Sequence, residues 1–165
     1  MESAEIAVIG AGFAGAAAAC FLARQGFTDL IVLDQEAAPG MHASRKNAAM
    51  VRQLIPDPTI ATLAREGAAF ILSQPAEWKS RAQFEPNGSL LLAEGKTFET
   101  LKQDAQEAQR NGVQTEILSP AECLAKSPWI EGGRFDGGAF CPSDGVVDIA
   151  GLLKENPAAG RFVYP

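Results

Sequence analysis

The chain has 165 residues, of which 47% are hydrophobic, and a formal net charge of −6. A chain of this length can bury one ordinary core, so the neutral expectation is one globular domain. The acidic balance and the lack of a basic stripe argue against a nucleic-acid surface.

The cysteines and one long uncharged stretch indicate in which cellular compartment the protein is expected. Cys20, Cys123 and Cys141 have unrelated spacings and form no C-x-x-C pair, which argues against a metal site or a disulfide framework. Residues 6–23 carry no charge, but glycines and alanines make them only mildly apolar, and no positively charged side chain precedes them. We therefore expect a soluble, cytoplasmic protein without a transmembrane segment.

Near the amino terminus, a short apolar stretch leads into three glycines spaced G-x-G-x-x-G. Residues 5–9 predict a buried strand, and residues 14–25 predict a helix. In this pattern Gly10 permits a sharp turn, Gly12 lets a pyrophosphate approach the backbone, and Gly15 lets the helix pack against the sheet. The unpaired N–H groups at the start of the helix would face the phosphates.

A carboxylate stands where a dinucleotide-binding unit needs one. Residues 30–33 predict a second buried strand, and Asp34 follows it directly. Its side chain is placed to accept hydrogen bonds from a ribose hydroxyl. The strand, turn, helix, strand and acid together predict a dinucleotide-binding βαβ unit, with a purely structural strand-turn-helix as the alternative.

The segment after Asp34 differs from an NAD-binding domain, which would continue with a crossover helix and a third strand. Residues 35–53 are polar, rich in small residues and broken by Pro39 and Gly40. They offer backbone N–H groups, a hydroxyl, an amide and cations, which suits a large cofactor that passes along the loop. An NAD-dependent dehydrogenase is therefore disfavoured. A solvated loop with a helix start at Ser44 is the alternative.

A resemblance to a known family rests on residues 10–15, 32–34 and 39–52, which read GAGFAG, VLD and PGMHASRKNAAMVR. These stretches resemble the amino-terminal portion of the FAD-dependent D-amino-acid oxidase (DAO) superfamily, nearest to its bacterial D-arginine dehydrogenase branch. The resemblance covers residues 5 to about 153. It implies an α/β fold, in which a Rossmann-like FAD-binding βαβ unit is followed by the first part of an α+β substrate domain.

The same resemblance implies domain limits and the residues that would hold FAD. Residues 1–55 and 140–165 would belong to the FAD-binding domain, and residues 56–139 would form a helical connector and a partial substrate domain. Asp34 would bind the adenosine ribose. The implied cofactor-binding residues are Gly10, Gly12, Phe13, Ala14, Gly15, Asp34, Gln35, Ala43, Ser44, Arg45, Lys46, Asn47, Ala48, Ala49 and Met50. Arg52 is predicted on the substrate side of the flavin, with a structural salt bridge as the alternative.

Three positions depart from the family pattern. Glycine is common in the family where this chain has Arg45, which raises the question of the backbone conformation there. The D-arginine dehydrogenase branch carries a histidine where this chain has Met50 and a substrate-reading acid where it has Ser89. Arginine is therefore a poor prediction for the substrate.

The rest of the chain predicts further helices and strands. Predicted helices cover residues 59–78 and 96–111, a capping box at 119–122 begins another, and predicted strands lie within 83–94, 113–118 and 134–148. Asp144 and Asp148 are interpreted as turn residues that make local hydrogen bonds, not as a catalytic pair. His42, the only histidine, is interpreted as a loop residue, with a tuning role near the flavin as the alternative.

The resemblance implies an oxidoreductase that oxidises an amino acid or a related amine by hydride transfer to the flavin, which performs most of the chemistry. No side-chain base is required, and no catalytic residue is predicted. Family members run to more than twice this length, and residues 154–165 do not continue the family pattern. We therefore expect a second polypeptide or a carboxy-terminal half to complete the fold. The alternative is a truncated, non-catalytic remnant that binds an adenosine-containing nucleotide or a partner chain.

Overall fold

The computed structural model describes residues 3–74, 84–154 and 161–163. The chain divides into two compact units. The first unit comprises Met1–Ala49, Pro75–Gln83 and Val147–Pro165, and the second comprises Met50–Gln74 and Phe84–Val146. The predicted helix end at Trp78 and the predicted strand start at Gln83 lie outside the described residues. The domain limits implied by the resemblance stay a prediction.

Helices and strands are interspersed along the chain, which is therefore mixed α/β. In chain order the elements are β1 (Ile6–Ile9), α1 (Phe13–Arg24), β2 (Leu30–Leu33), β3 (Met50–Val51), α2 (Pro58–Leu72), β4 (Phe84–Glu85), β5 (Ser89–Ala93), α3 (Lys96–Arg110), β6 (Glu116–Leu118), α4 (Pro120–Lys126), a 3-10 turn (Pro128–Ile130), β7 (Gly137–Cys141), β8 (Gly145–Val147), α5 (Ile149–Lys154) and β9 (Arg161–Val163).

The first unit contains a three-stranded parallel sheet in the order β1-β2-β9. Ile6 lies opposite Leu30 in the β1–β2 pair, and Ile31 lies opposite Arg161 in the β2–β9 pair. The predicted strands and the helix around the glycines are confirmed, but β1 is not buried as predicted, because its side chains alternate between half-buried and exposed. The sequence analysis did not predict β9, which supplies the third parallel strand from the far end of the chain.

Small side chains let α1 pack closely on this sheet. Ala11 and Ala19 are fully buried and cluster with Leu30 and Val32. An alanine side chain occupies little volume in the helix–sheet interface, so the backbones of the helix and the sheet can approach closely. This packing positions the start of α1 beside the carboxyl ends of β1 and β2, where parallel α/β sheets bind their ligands.

The second unit has two small sheets, in the orders β5-β7-β6 and β3-β8-β4. The first of them is antiparallel, and its core gathers small side chains from α3 and β7, including Ala105, Ala108 and Ala139, around Leu54. Residues 35–53 add no strand to the parallel β1-β2-β9 sheet, but their last part contains β3, whose Met50 and Val51 pair antiparallel with β8. A two-residue strand is too short to give a periodic signal in a sequence.

Most other predicted elements of the second unit are confirmed, with shifted ends. Asp57 caps α2 by accepting hydrogen bonds from two N–H groups of its first turn, and Ser119 and Glu122 form the predicted capping box at the start of α4. The predicted strand 113–118 is shorter than expected. The Val113 N–H donates to the Ala108 carbonyl, so the chain wraps the end of α3 before β6 begins.

Within the described residues, no helix combines the length and the apolar character that a membrane crossing requires.

Candidate cofactor site

The glycine turn between β1 and α1 has the geometry that its spacing predicts. Gly10 has φ +97°, a conformation that glycine adopts without strain. A Cβ atom on Gly15 would overlap the carbonyl oxygen of Gly10, so only glycine fits where the helix crosses the turn. A Cβ atom on Gly12 would stand 3.0 Å from Ser44 Oγ. The three glycines therefore leave a backbone-lined hollow at the start of α1.

The start of α1 offers backbone donors. In an α-helix the first N–H groups have no acceptor within the helix, and here these belong to Phe13, Ala14 and Gly15. The N-cap residue, Gly12, has no side chain to satisfy them. Together with the positive end of the helix dipole, such a terminus favours a phosphate or another anion.

Asp34 reaches the glycine turn from the end of β2. Its Oδ2 accepts a hydrogen bond from the Ala11 N–H at 2.5 Å, and its Oδ1 accepts one from the Glu36 N–H at 2.9 Å. Both bonds favour the ionised carboxylate, so the pKa of Asp34 lies below its ordinary value, chiefly because of the bond from Ala11. An ionised carboxylate has about four acceptor positions, and these two bonds leave room for ribose hydroxyls.

The depressed pKa of Asp34 predicts a loss of stability in acid. A carboxylate whose pKa is lowered on folding contributes stability that is present above its unfolded pKa, about 3.9, and is lost as the pH falls through its folded pKa. The free energy of unfolding should therefore decrease as the pH is lowered past about 4. Urea unfolding above and below this pH measures the loss, which should be smaller in Asp34→Asn than in the wild type. Equal losses in the two proteins would contradict the assignment.

Ser44 joins the following loop to the same helix start. Its Oγ accepts a hydrogen bond from the Phe13 N–H at 3.0 Å, across 31 positions of sequence. The hydroxyl thus supplies from a distance the cap that Gly12 lacks. Residues 43–45 form a turn, so a helix does not begin at Ser44. Arg45, where the family commonly has glycine, does not adopt a positive φ.

Asn47 holds the end of this loop. Its Nδ2 donates to the carbonyls of Ala43 and Ser44 at 3.1 and 2.9 Å, and its Oδ1 accepts the Ala49 N–H at 2.7 Å. Ala49 has φ +57°, which is left-handed and uncommon for a residue other than glycine. The Asn47 bonds therefore keep a strained backbone at Ala49, near the end of the predicted cofactor-binding residues 43–50.

The left-handed backbone at Ala49 predicts a position-specific sensitivity to branched side chains. Ala49→Val should cost about 1–2 kcal/mol more unfolding free energy than Ala48→Val, because a β-branched residue fits this conformation poorly. Ala48, the adjacent exposed alanine without a positive φ, is the matched control. Thermal or urea unfolding without added nucleotide measures both variants, and equal costs would show that Ala49 is unstrained.

The other predicted site residues are distributed as follows. Gln35 Nε2 lies 3.4 Å from His42 Nε2, and His42 in turn contacts Glu36 Oε1 at 2.8 Å, so the histidine belongs to a polar cluster of the loop. Lys46 and Ala48 are exposed. Met50 and Arg52 belong to the second unit. Gly10, Gly12, Phe13, Ala14, Gly15, Asp34 and Ser44 are the predicted residues that converge on the start of α1.

Each unit also has a cavity lined by an arginine that the sequence analysis assigned to the site. Arg45 lines one of about 440 Å³ in the first unit, with Pro39, Ile149, Ala150 and Leu153. Arg52 lines one of about 220 Å³ in the second unit, where its Nη2 lies 3.4 Å from the Leu54 carbonyl oxygen. Within the described residues Arg52 forms no ion pair, so the structural salt bridge considered for it is not observed there.

A buried polar cluster in the second unit was missed by the sequence analysis. Asp144 is fully buried, and its carboxylate accepts hydrogen bonds from the Gln53 N–H at 2.9 Å, Ser89 Oγ at 2.6 Å and Cys141 Sγ at 3.2 Å. Burial, above all, raises the pKa of the Cys141 thiol, which keeps its proton available for donation. The interpretation of Asp144 as a residue with local bonds was wrong, because two of these partners lie 91 and 55 positions away. Asp148 does bond locally, to the Ala150 N–H.

The residues at the start of α1 fit the pyrophosphate and ribose of a dinucleotide. The hollow at Gly12 is one that a Cβ atom would fill, the helix start offers N–H donors, and Asp34 offers an ionised acceptor. Within the described residues no group of three or more potential metal ligands occurs. The fold and the site thus define a dinucleotide-binding α/β protein.

Comparisons with known proteins agree with this class. The family described as "FAD dependent oxidoreductase" (DAO) matches residues 5–159. The chain is 26% identical over 144 residues to the FAD-dependent oxidoreductase domain-containing protein 1 of Mus musculus, a match that covers 78% of this chain and 29% of that protein.

Solved structures show the same fold. The L-proline dehydrogenase from P. horikoshii superposes with a TM-score of 0.86 at 21% identity, over 99% of this chain and 44% of that chain. The FAD-bound L-alpha-glycerophosphate oxidase from Mycoplasma pneumoniae gives 0.81 at 17% identity, over 99% and 45%. The chain spans less than half the length of these relatives. It belongs to the family of FAD-dependent oxidoreductases, whose cofactor is FAD.

Proposed function

We propose that this chain is the FAD-binding portion of an oxidoreductase that oxidises an amino acid or a related amine. One observation carries the proposal. Asp34, from the end of β2, and Ser44, from the following loop, both bond to backbone N–H groups of the glycine turn and helix start, at 2.5 and 3.0 Å. A dinucleotide placed along these two segments would meet a ribose acceptor, phosphate donors and a flavin-side loop in order.

Each segment has a role in this proposal. Asp34 holds the adenosine ribose, the first turn of α1 holds the pyrophosphate, and residues 43–49 line the flavin. Met50 contributes to the cofactor site, and Arg52 lies on the substrate side of the flavin. FAD, when bound, supplies the acceptor for two electrons, while the protein binds and orients it.

The substrate class rests on the sequence resemblance and on one relative whose name specifies an amino acid, L-proline. The glycerophosphate oxidase has the same fold, so the fold alone does not select an amine. The likeness to the D-arginine dehydrogenase branch is proposed for the cofactor segment only. Ser89 is buried and donates to Asp144, which supports the view that position 89 does not read a charged substrate here.

A completing polypeptide is part of the proposal. Within the described residues β1 is an edge strand of the parallel sheet, and Ile9 at its end is 87% exposed. Apolar side chains at an open sheet edge favour association with another segment. We infer that a carboxy-terminal half or a second polypeptide covers this edge. The three buried, unpaired cysteines support a cytoplasmic location.

An equilibrium titration tests the function. The chain, purified together with any polypeptide that accompanies it, is titrated with FAD and with ADP while flavin absorbance and fluorescence are recorded. Saturable FAD binding, followed by bleaching of the flavin with one member of an amino-acid and amine panel, is the expected result. If the protein binds ADP but does not bind FAD, the result would favour a non-catalytic remnant. Absence of binding to either nucleotide would overturn the proposal.

A further inference from the structure

The strand that carries Met50 and directly precedes Arg52 is very short. β3 has two residues, with Met50 opposite Val146 and Val51 opposite Gly145 in β8. Side chains alternate between the two faces of a strand, so a slip of one residue would move every side chain to the other face. Two pairs alone define such a register weakly. A further contact is needed to keep it.

Asp144 makes that contact. It directly precedes β8, and its Oδ1 accepts hydrogen bonds from the Gln53 N–H at 2.9 Å and from Gln53 Nε2 at 3.3 Å. Its Oδ2 accepts the Ser89 hydroxyl at 2.6 Å, which anchors the carboxylate to β5. Asp144 is fully buried, where hydrogen bonds to a carboxylate are stronger than in water. The carboxylate therefore ties the segment after β3 to the start of β8.

The exposure pattern follows from this tie. Gln53, held by Asp144, is 4% exposed, whereas Met50, in β3, is 50% exposed. Arg52 is also exposed. β3 ends at Val51, and Gln53 and Leu54 are both buried, so Asp144 fixes the point at which the chain turns inward, while Met50 and Arg52 before that point stay exposed.

We propose that Asp144 is a positioning residue, which sets the register of β3 so that Met50 and Arg52 face outward. That this register matters for substrate oxidation rests on the proposed function, in which the Met50 and Arg52 side chains lie beside the flavin. The register itself does not depend on FAD.

Methionine oxidation measures the register in the full chain without FAD. Met50 and Met41 are 50% and 40% exposed, so both should be oxidised by dilute peroxide, and Met41, in the other unit, serves as the internal reference. In Asp144→Ala a slip of β3 by one residue would place Met50 on the face of the half-buried Val51, so the ratio of its oxidation rate to that of Met41 should fall by about twofold or more. Peptide mass spectrometry reads both rates.

Two further variants separate register from general damage. Asp144→Asn keeps an acceptor for Gln53 and should restore most of the wild-type ratio, whereas Asp148→Asn, a change at a carboxylate with only a local bond, should leave the ratio unchanged. If Asp144→Ala does not fold, Ser89→Ala removes one anchor of the carboxylate and should lower the ratio less. A folded Asp144→Ala or Ser89→Ala with an unchanged or higher ratio overturns the proposal. Failure of the wild type to bind FAD would overturn the proposed function but not this inference.

Discussion

Gly12→Val should weaken FAD binding by about 100-fold or more, which corresponds to about 3 kcal/mol. A Cβ atom at this position lies 3.0 Å from Ser44 Oγ, so a branched side chain would occupy the hollow and displace the hydroxyl from the Phe13 N–H. It would also keep the pyrophosphate away from the backbone donors. Fluorescence titration with FAD measures the dissociation constants of the wild type and of Gly12→Val.

Gly67→Val is the matched control for Gly12→Val. Gly67 lies within α2, and a Cβ atom there meets nothing within 4 Å. The control should fold and keep the wild-type affinity. If Gly12→Val also keeps that affinity while it remains folded, then the hollow at the start of α1 does not hold the cofactor.

Gly15→Ala should lower the free energy of unfolding by about 2–3 kcal/mol, because overpacking in a closely packed interface forces backbone shifts. The new Cβ atom would overlap the carbonyl oxygen of Gly10 and lie 3.3 Å from Val8 Cγ1. Since the obstruction is backbone, no side-chain rotation can relieve it. Urea unfolding of the chain without nucleotide measures this loss.

Gly67→Ala provides the opposite expectation for the same chemical change. Alanine is favoured over glycine within a helix by about 0.5–1 kcal/mol, and the space beside Gly67 is open, so this variant should be stabilised. If Gly15→Ala is as stable as the wild type, the close crossing of α1 over the turn is not present in solution.

The glycine turn and its flanking elements were predictable because their signals are local. The spacing of Gly10, Gly12 and Gly15 and the apolar runs on either side are typical of a strand-turn-helix-strand unit. The contact between Asp34 and the turn also follows from that pattern. The β1-α1-β2 part of the first unit was thus predicted from its first 34 residues.

Contacts between distant segments were not predictable in the same way. Ser44 was implied as a flavin-side residue, but its bond to the Phe13 N–H depends on how the loop folds back over 31 positions. β9 has three residues, too few for a periodic pattern, and its pairing with β2 is visible only in the structure.

Asp144 shows where a local rule gives the wrong interpretation. Its sequence context, Pro-Ser-Asp-Gly, is typical of a turn, where aspartate bonds to nearby backbone groups. The fold instead brings Gln53 and Ser89 to its carboxylate and removes it from water. A buried carboxylate needs several donors, and no spacing in the sequence reveals donors from three separate strands and loops.

Hydrogen exchange with and without FAD tests the cofactor site most directly. If FAD lies across the start of α1, the backbone amides of residues 10–15 and of residues 43–49 should both exchange more slowly when it is bound, since both segments would face the same molecule. Binding of FAD with unchanged exchange in either segment would contradict the site.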